Sequence, residues 1–157
     1  MRRMGFSLIA ALALLAATSG IASGAASVTY NLAGIEYAAT SVQGSFAGAA
    51  RSVTRDDYGA WYAVVVHDPL TLGNTPITGG TFAYQGKLRS YVGTINGGTL
   101  TPTSAPSCTR ATFTATGTFA YAGGTGGFVM NLTHYGFLTR SGCVTYFATV
   151  SGSATFN

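Results

Sequence analysis

Residues 111–121 alternate without a break: Ala111, Phe113, Ala115, Gly117, Phe119 and Tyr121 are separated by Thr112, Thr114, Thr116 and Thr118. A period of two places the two sets on opposite faces of a strand, whereas a helix would scatter them. Threonine suits the outward face, because it is β-branched and its hydroxyl bonds to water. The small and aromatic set needs cover, which a single strand cannot supply.

The same alternation recurs along the chain. Candidate strands are 27–39, 42–53, 60–67, 77–85, 87–95, 99–103, 111–121, 128–138 and a last run carrying Val144, Tyr146, Ala148, Val150, Ala154 and Phe156 on one face. No stretch beyond Ala26 shows helical periodicity. The separators are turn-like: Arg55–Gly59, Pro69–Pro76, the Asn96-Gly97-Gly98 hairpin signal and the cluster Gly123–Gly127. On 128–138 the inward set is Phe128, Met130, Leu132, His134 and Leu138. A hairpin across the glycine cluster pairs residues whose numbers sum to about 249, so Phe119 meets Met130, Gly117 meets Leu132 and Ala115 meets His134. The run Trp61–Val66 is apolar on both faces and reads as a central strand covered on both sides. Gly80-Thr81-Phe82-Ala83-Tyr84 echoes Gly117-Thr118-Phe119-Ala120-Tyr121, as one hairpin design used twice or as convergence on strand-forming residues. Eight or nine short strands imply an antiparallel meander barrel, with a two-sheet sandwich as the alternative. Small residues among the inward Phe and Tyr favour the barrel.

The N-terminus obeys different rules. Arg2 and Arg3 precede an apolar stretch, Phe6–Ala17, and a small-residue region, Thr18–Ala26. That is the tripartite pattern of a helical signal peptide over residues 1–24, cut before Ala25, or else after Ala22 or Ala26. An apolar helix of roughly 12 residues reaches about 18 Å, too short for a bilayer core of about 30 Å. A retained anchor is the alternative. Residues 25–157 then form a single domain, expected to be secreted, periplasmic or displayed at the cell surface. Losing Arg2 and Arg3 leaves Arg51, Arg55, Lys87, Arg89, Arg110 and Arg140 against Glu36, Asp56, Asp57 and Asp68, a mature net charge of +2. Scattered arginines make no footprint for nucleic acid. No membrane contact is expected after cleavage, and no cofactor is implied. The oligomeric state is left open.

Export also bears on Cys108 and Cys143, the two cysteines of the chain. In an oxidising compartment they are expected to form a disulfide at one end of the meander. Closing a loop of about 36 residues contributes on the order of 4 kcal/mol through the unfolded state.

Residues able to do chemistry are few. His67 and His134 are the candidate general bases, and His134 carries inward parity. His67 and Asp68 are neighbours and point to opposite faces. Glu36, in Ile35-Glu36-Tyr37, is expected to face solvent after a bulge at Gly34; buried, it would be the most informative carboxylate in the chain. Asp56-Asp57 reads as a turn with local backbone bonds, with calcium coordination as the alternative. Two histidines without a third ligand do not make a metal site. Trp61, Tyr121, Met130 and Tyr146 are candidates to line a cavity for an apolar or sugar-like ligand, against the plainer reading of a packed core.

The stretches Gly127–Tyr135, Gly142–Ser153 and Pro76–Phe82 resemble small secreted bacterial all-β proteins of unknown function. The turn Gly123-Gly124-Thr125-Gly126-Gly127-Phe128 is similar to the G-G-T-G-x-F hairpin of allene oxide cyclase and dirigent-like barrels, although Val129-Met130-Asn131-Leu132 replaces the small residues that usually follow. That resemblance implies a small antiparallel barrel with an apolar cavity and carries over no catalytic residue. The leading expectation is a non-enzymatic exported barrel that binds an apolar small molecule or serves as an interaction module. A cyclase- or isomerase-like enzyme acting in the cavity is the second reading, and a surface adhesion domain the third. An aromatic-lined cavity of at least about 300 Å³ separates the first two from the third. Convergence of His134 with Glu36 or a tyrosine hydroxyl favours the enzyme.

Overall fold

The computed structural model describes residues 26–105, 107–140 and 142–157, with the side chains of Phe137, Thr139 and 143–146 also outside the description. The proposed signal segment, residues 1–24, lies outside the described residues. Eight strands run in chain order: β1 Val28–Thr40, β2 Gln43–Ser52, β3 Tyr58–His67, β4 Thr75–Gly86, β5 Ser90–Pro102, β6 Arg110–Tyr121, β7 Gly124–Thr139 and β8 Gly142–Phe156. Each pairs antiparallel with the next, and β8 pairs with β1, so the meander closes into a barrel and not a sandwich. Closure leaves no unpaired edge, a liability that an open sheet of this length would carry.

Alternation holds as the sequence predicts on β6, where Phe113, Ala115 and Phe119 are buried and the threonines face out. The outward threonines bond to their neighbours, as in Thr114 Oγ1 to Asn131 Oδ1 at 3.1 Å and Thr29 Oγ1 to Thr155 Oγ1 at 2.9 Å. Four details differ from expectation. The β6–β7 turn is only Ala122-Gly123, so Phe119 faces Gly126, Gly117 faces Phe128 and Ala115 faces Met130. Parity survives; β6 ends at Tyr121 as expected, but β7 begins four residues earlier, at Gly124. The reason is steric: a Cβ on Gly126 would lie 2.2 Å from the Phe119 ring, and one on Gly117 would lie 2.6 Å from the Phe128 ring. The glycines belong to the ladder because each receives the ring opposite.

Second, Asn96-Gly97-Gly98 is not a hairpin. β5 runs through it with a register shift between Ile95 and Gly97, and Gly97 takes the positive φ (148°) there. Third, β3 is not covered twice. A barrel wall has one layer, so Tyr62 and Val66 are exposed on its outside. Fourth, Leu138 is exposed, because a bulge between Tyr135 and Gly136 reverses the facing of β7 beyond that point. The echoed pentapeptides flank β5 from either side, and Phe82 of one packs on Phe119 of the other at a centroid distance of 4.8 Å.

The turns at residues 53–57, 87–89 and 122–123 gather at one end of the barrel, which an aromatic cluster plugs. Phe156 stacks on Tyr91 at 4.2 Å and meets Phe119 at 4.8 Å, and Tyr30 lies 4.7 Å from Tyr84. Beneath this plug sits Asp57, fully buried. It does not make the local turn contacts expected of it. Its carboxylate accepts the Tyr30 hydroxyl at 2.7 Å and the Leu88 N–H at 2.8 Å, joining β1, the β2–β3 turn and the β4–β5 turn. Asp56 pairs instead with Lys87 at 2.5 Å, so cationic and neutral donors take the places a calcium ion would need.

Burial pushes the Asp57 carboxyl up, but the Leu88 N–H and the Tyr30 hydroxyl outweigh it and hold the group below its ordinary value. Burial and the adjacent carboxylate push Tyr84 up to about 12; its hydroxyl lies beside Asp57 without an aligned hydrogen bond. A depressed carboxyl pKa contributes stability that is complete above the unfolded-state value and lost as pH falls through the folded one. Asp57→Asn is therefore expected to lower stability at pH 7 by about 2 kcal/mol. Urea titration across pH should show that the variant also loses part of the wild-type decline below about pH 4.

Candidate functional site

The opposite end carries the connections at 41–42, 68–74, 103–109 and 140–141. Between it and the aromatic plug the barrel encloses a cavity of about 120 Å³, walled by Trp61, Leu100, Phe113, Met130, Leu132 and their neighbours. It is smaller than the 300 Å³ scale expected of a drug-sized pocket, because eight strands leave an interior that side chains nearly fill. It is not a solid core either. An apolar cavity of about 150 Å³ is known to stay dry and admit benzene, which sets the size of guest this one suits.

One carboxylate and two imidazoles line this largely apolar space, Glu36, His67 and His134, together with Tyr30, Tyr62 and Tyr84. Glu36 does not face solvent. Parity on β1 runs unbroken from Val28 to Glu36, with Ile35 and Tyr37 outside. The bulge lies at Tyr37, after Glu36, and not at Gly34. Gly34 instead gives close approach, since a Cβ there would lie 2.2 Å from the Ala47 carbonyl oxygen.

Across the barrel seam Glu36 pairs with Ala148 of β8, and Ala148 pairs with His134 of β7. All three point inward on one row. Ala148 is buried and too small to fill the gap, so the two longer side chains meet over it, His134 Nε2 lying 3.1 Å from Glu36 Oε2. Only 8% of the Glu36 side chain and 18% of the His134 side chain are exposed. The contact has ion-pair distance but not hydrogen-bond alignment, and Nε2 is left without an aligned partner. Phe113 packs on the imidazole at 5.4 Å. Gly44 makes room for the carboxylate, because a Cβ there would stand 2.4 Å from Glu36 Oε1.

The other candidates separate clearly. His67 is buried and lines the cavity, but its Nδ1 is engaged by the Asp68 carbonyl oxygen at 2.6 Å. Trp61 is buried in the wall, and its indole N–H donates to the Ala33 carbonyl at 3.3 Å across Gly48. Met130 lines the cavity. Tyr121 does not: it belongs to the plug, where its hydroxyl donates to the Asn157 carbonyl at 2.7 Å. The side chains of Tyr146 and Cys143 lie outside the described residues. Among the described residues no group of three His, Cys, Asp or Glu side chains gathers as a metal site. Tyr30 and Asp57 are the buried polar pair that sequence reading did not join; they lie on different elements, and no local motif links them.

No family model, no curated protein and no solved structure matches this chain.

A carboxylate and an imidazole in an apolar chamber lose hydration that one mutual contact only partly replaces, and removing one partner strands the other. His134→Leu is therefore expected to destabilise the protein by about 3–5 kcal/mol at neutral pH. The double variant Glu36→Leu/His134→Leu should recover to within about 1 kcal/mol of wild type or exceed it. Urea denaturation of the four proteins of this cycle reads the effect directly.

Proposed function

We propose that the chain is an exported binding barrel that takes a small, mainly apolar molecule into its interior. The observation that carries this reading is the cavity of about 120 Å³, mainly apolar and lined also by a convergent Glu36–His134 pair and His67. Shape and dispersion would retain the guest, and the pair would orient one polar group on it. The guest has about six non-hydrogen atoms, by comparison with the benzene-sized cavity above. The barrel form agrees with the resemblance to cyclase and dirigent-like barrels, and the resemblance adds nothing about the ligand.

Export rests on the pattern of residues 1–24, which also supports a secreted, periplasmic or surface location. The same compartment favours a Cys108–Cys143 disulfide. Cys108 lies just before β6, where the Thr109 carbonyl receives the Gly136 N–H of β7, and Cys143 lies opposite Leu138 on the other side of β7. A bridge there would staple β6 and β8 across β7 at the mouth of the barrel. The scattered charge argues against nucleic acid as a partner.

The second reading, an enzyme, is favoured by one observation: the meeting of His134 with Glu36 in the cavity.

Titration with benzene, followed through methyl resonances, tests the binding reading. Saturable shifts are expected at Val65, Met130, Leu132 and Val150 inside the barrel and not at the outward Val92 and Val129. Ala63→Leu, which fills the cavity from β3, should abolish those shifts and raise stability by about 1 kcal/mol. Equal shifts inside and outside, or none, would overturn the proposal. Peptide mapping of the secreted protein without reductant should recover Cys108 and Cys143 in one linked species.

A further inference from the structure

We infer that Glu36 and His134 form an acid–base dyad that moves a proton on a small ketone held in the cavity. This rests on the binding reading and assigns its ligand a chemical class. A side chain that is 8% exposed places a carboxylate in an apolar chamber, and the imidazole 3.1 Å away leaves Nε2 without an aligned hydrogen bond. A resting structural pair would satisfy both groups on each other. Here His134 Nε2 has no aligned partner, and both residues line the cavity. The guest that completes this arrangement brings a hydrogen-bond acceptor for the imidazole and a weakly acidic C–H for the carboxylate. A ketone carries both, on the oxygen and the α-carbon that flank its carbonyl carbon.

With the pair in its charged form, the step balances. Glu36 takes the proton from the carbon beside the carbonyl, forming an O–H bond as the C–H bond breaks. The released electron pair becomes the carbon–carbon double bond, and the carbonyl π pair moves onto oxygen, which His134 Nε2 protonates or hydrogen-bonds. Reversal returns a proton to the same carbon, or to the far end of a conjugated double bond, which is an isomerisation. No oxidant, reductant or metal enters. The apolar walls exclude water that would otherwise compete for the carboxylate and the enolate. Gly44, Ala148 and Phe113 are positioning residues: the first two make space for the pair, and the third flanks the imidazole.

The test uses the full chain and cyclopentanone, which has six non-hydrogen atoms. In D₂O, loss of its α-proton signals is followed by NMR alongside the methyl shifts that report occupancy. The expected result is α-exchange about 100-fold or more above buffer, suppressed by benzene as a competitor. Glu36→Gln should lose that acceleration while cyclopentanone still shifts the interior methyl groups, and Thr114→Ala on the outer wall should retain it. If Glu36→Gln does not fold, Glu36→Asp keeps the charge and withdraws it by one methylene; its exchange should fall by about 10-fold or more. Saturable occupancy with exchange at the buffer rate, or equal exchange in wild type and both Glu36 variants, overturns the dyad and leaves the binding reading standing. Absence of interior shifts with both benzene and cyclopentanone overturns the binding reading, and the dyad with it.

Discussion

The ladder between β1 and β8 is the contact on which the rest depends. It runs from Val28 opposite Phe156 to Glu36 opposite Ala148 and joins the first strand to the last. Without it the sheet has two exposed edges and an apolar face open to water, and nothing encloses the interior. Closure also creates the site. Glu36 and His134 are distant in sequence, and only the seam brings them onto one row, separated by a single alanine. The fold and the Glu36–His134 contact therefore share a cause.

The size of the interior follows from a second constraint, the matching of large residues to glycine or alanine across strands. Phe119 lies over Gly126, Phe128 over Gly117, and the Phe82 ring reaches where a Cβ of Gly93 would stand. These pairs let rings lie flat against the opposing backbone, filling the plugged end densely. Phe119, the fully buried one of the three, contributes about 2 kcal/mol. Asp57 then ties the plug to the turns, since its two carboxylate oxygens serve different elements. Toward the other end the polar pair interrupts the packing, and the cavity occupies the space between. The barrel is thus densely packed at one end and keeps its cavity toward the other.

Much of this was legible in the residues. The period-two alternation of β6 identified its inward face and, through parity, that of β7 as far as His134. It also announced a closed all-β fold, since so many half-apolar strands need mutual cover. What alternation cannot supply is register. Gly123–Gly127 read as a turn because glycine permits turns, but three of these glycines serve in the ladder instead. Gly97 carried the same ambiguity between turn and bulge. Glu36 was misplaced for a related reason: a carboxylate among apolar residues suggested a break in parity, and the parity was in fact intact. Simple counting from Tyr30 by twos would have put it inside. Its meeting with His134 could not be read locally, because it depends on the closing seam.

The most direct measurement of that seam is the nuclear Overhauser pattern of the Ala148 methyl group. Ala148 is the Cα partner of both Glu36 and His134 and points into the barrel. The seam predicts cross-peaks from this methyl to the Glu36 side-chain methylenes and to the His134 ring protons together. An Ala148 methyl that sees Ile35 or Tyr37 in place of Glu36, or sees His134 alone, would contradict it.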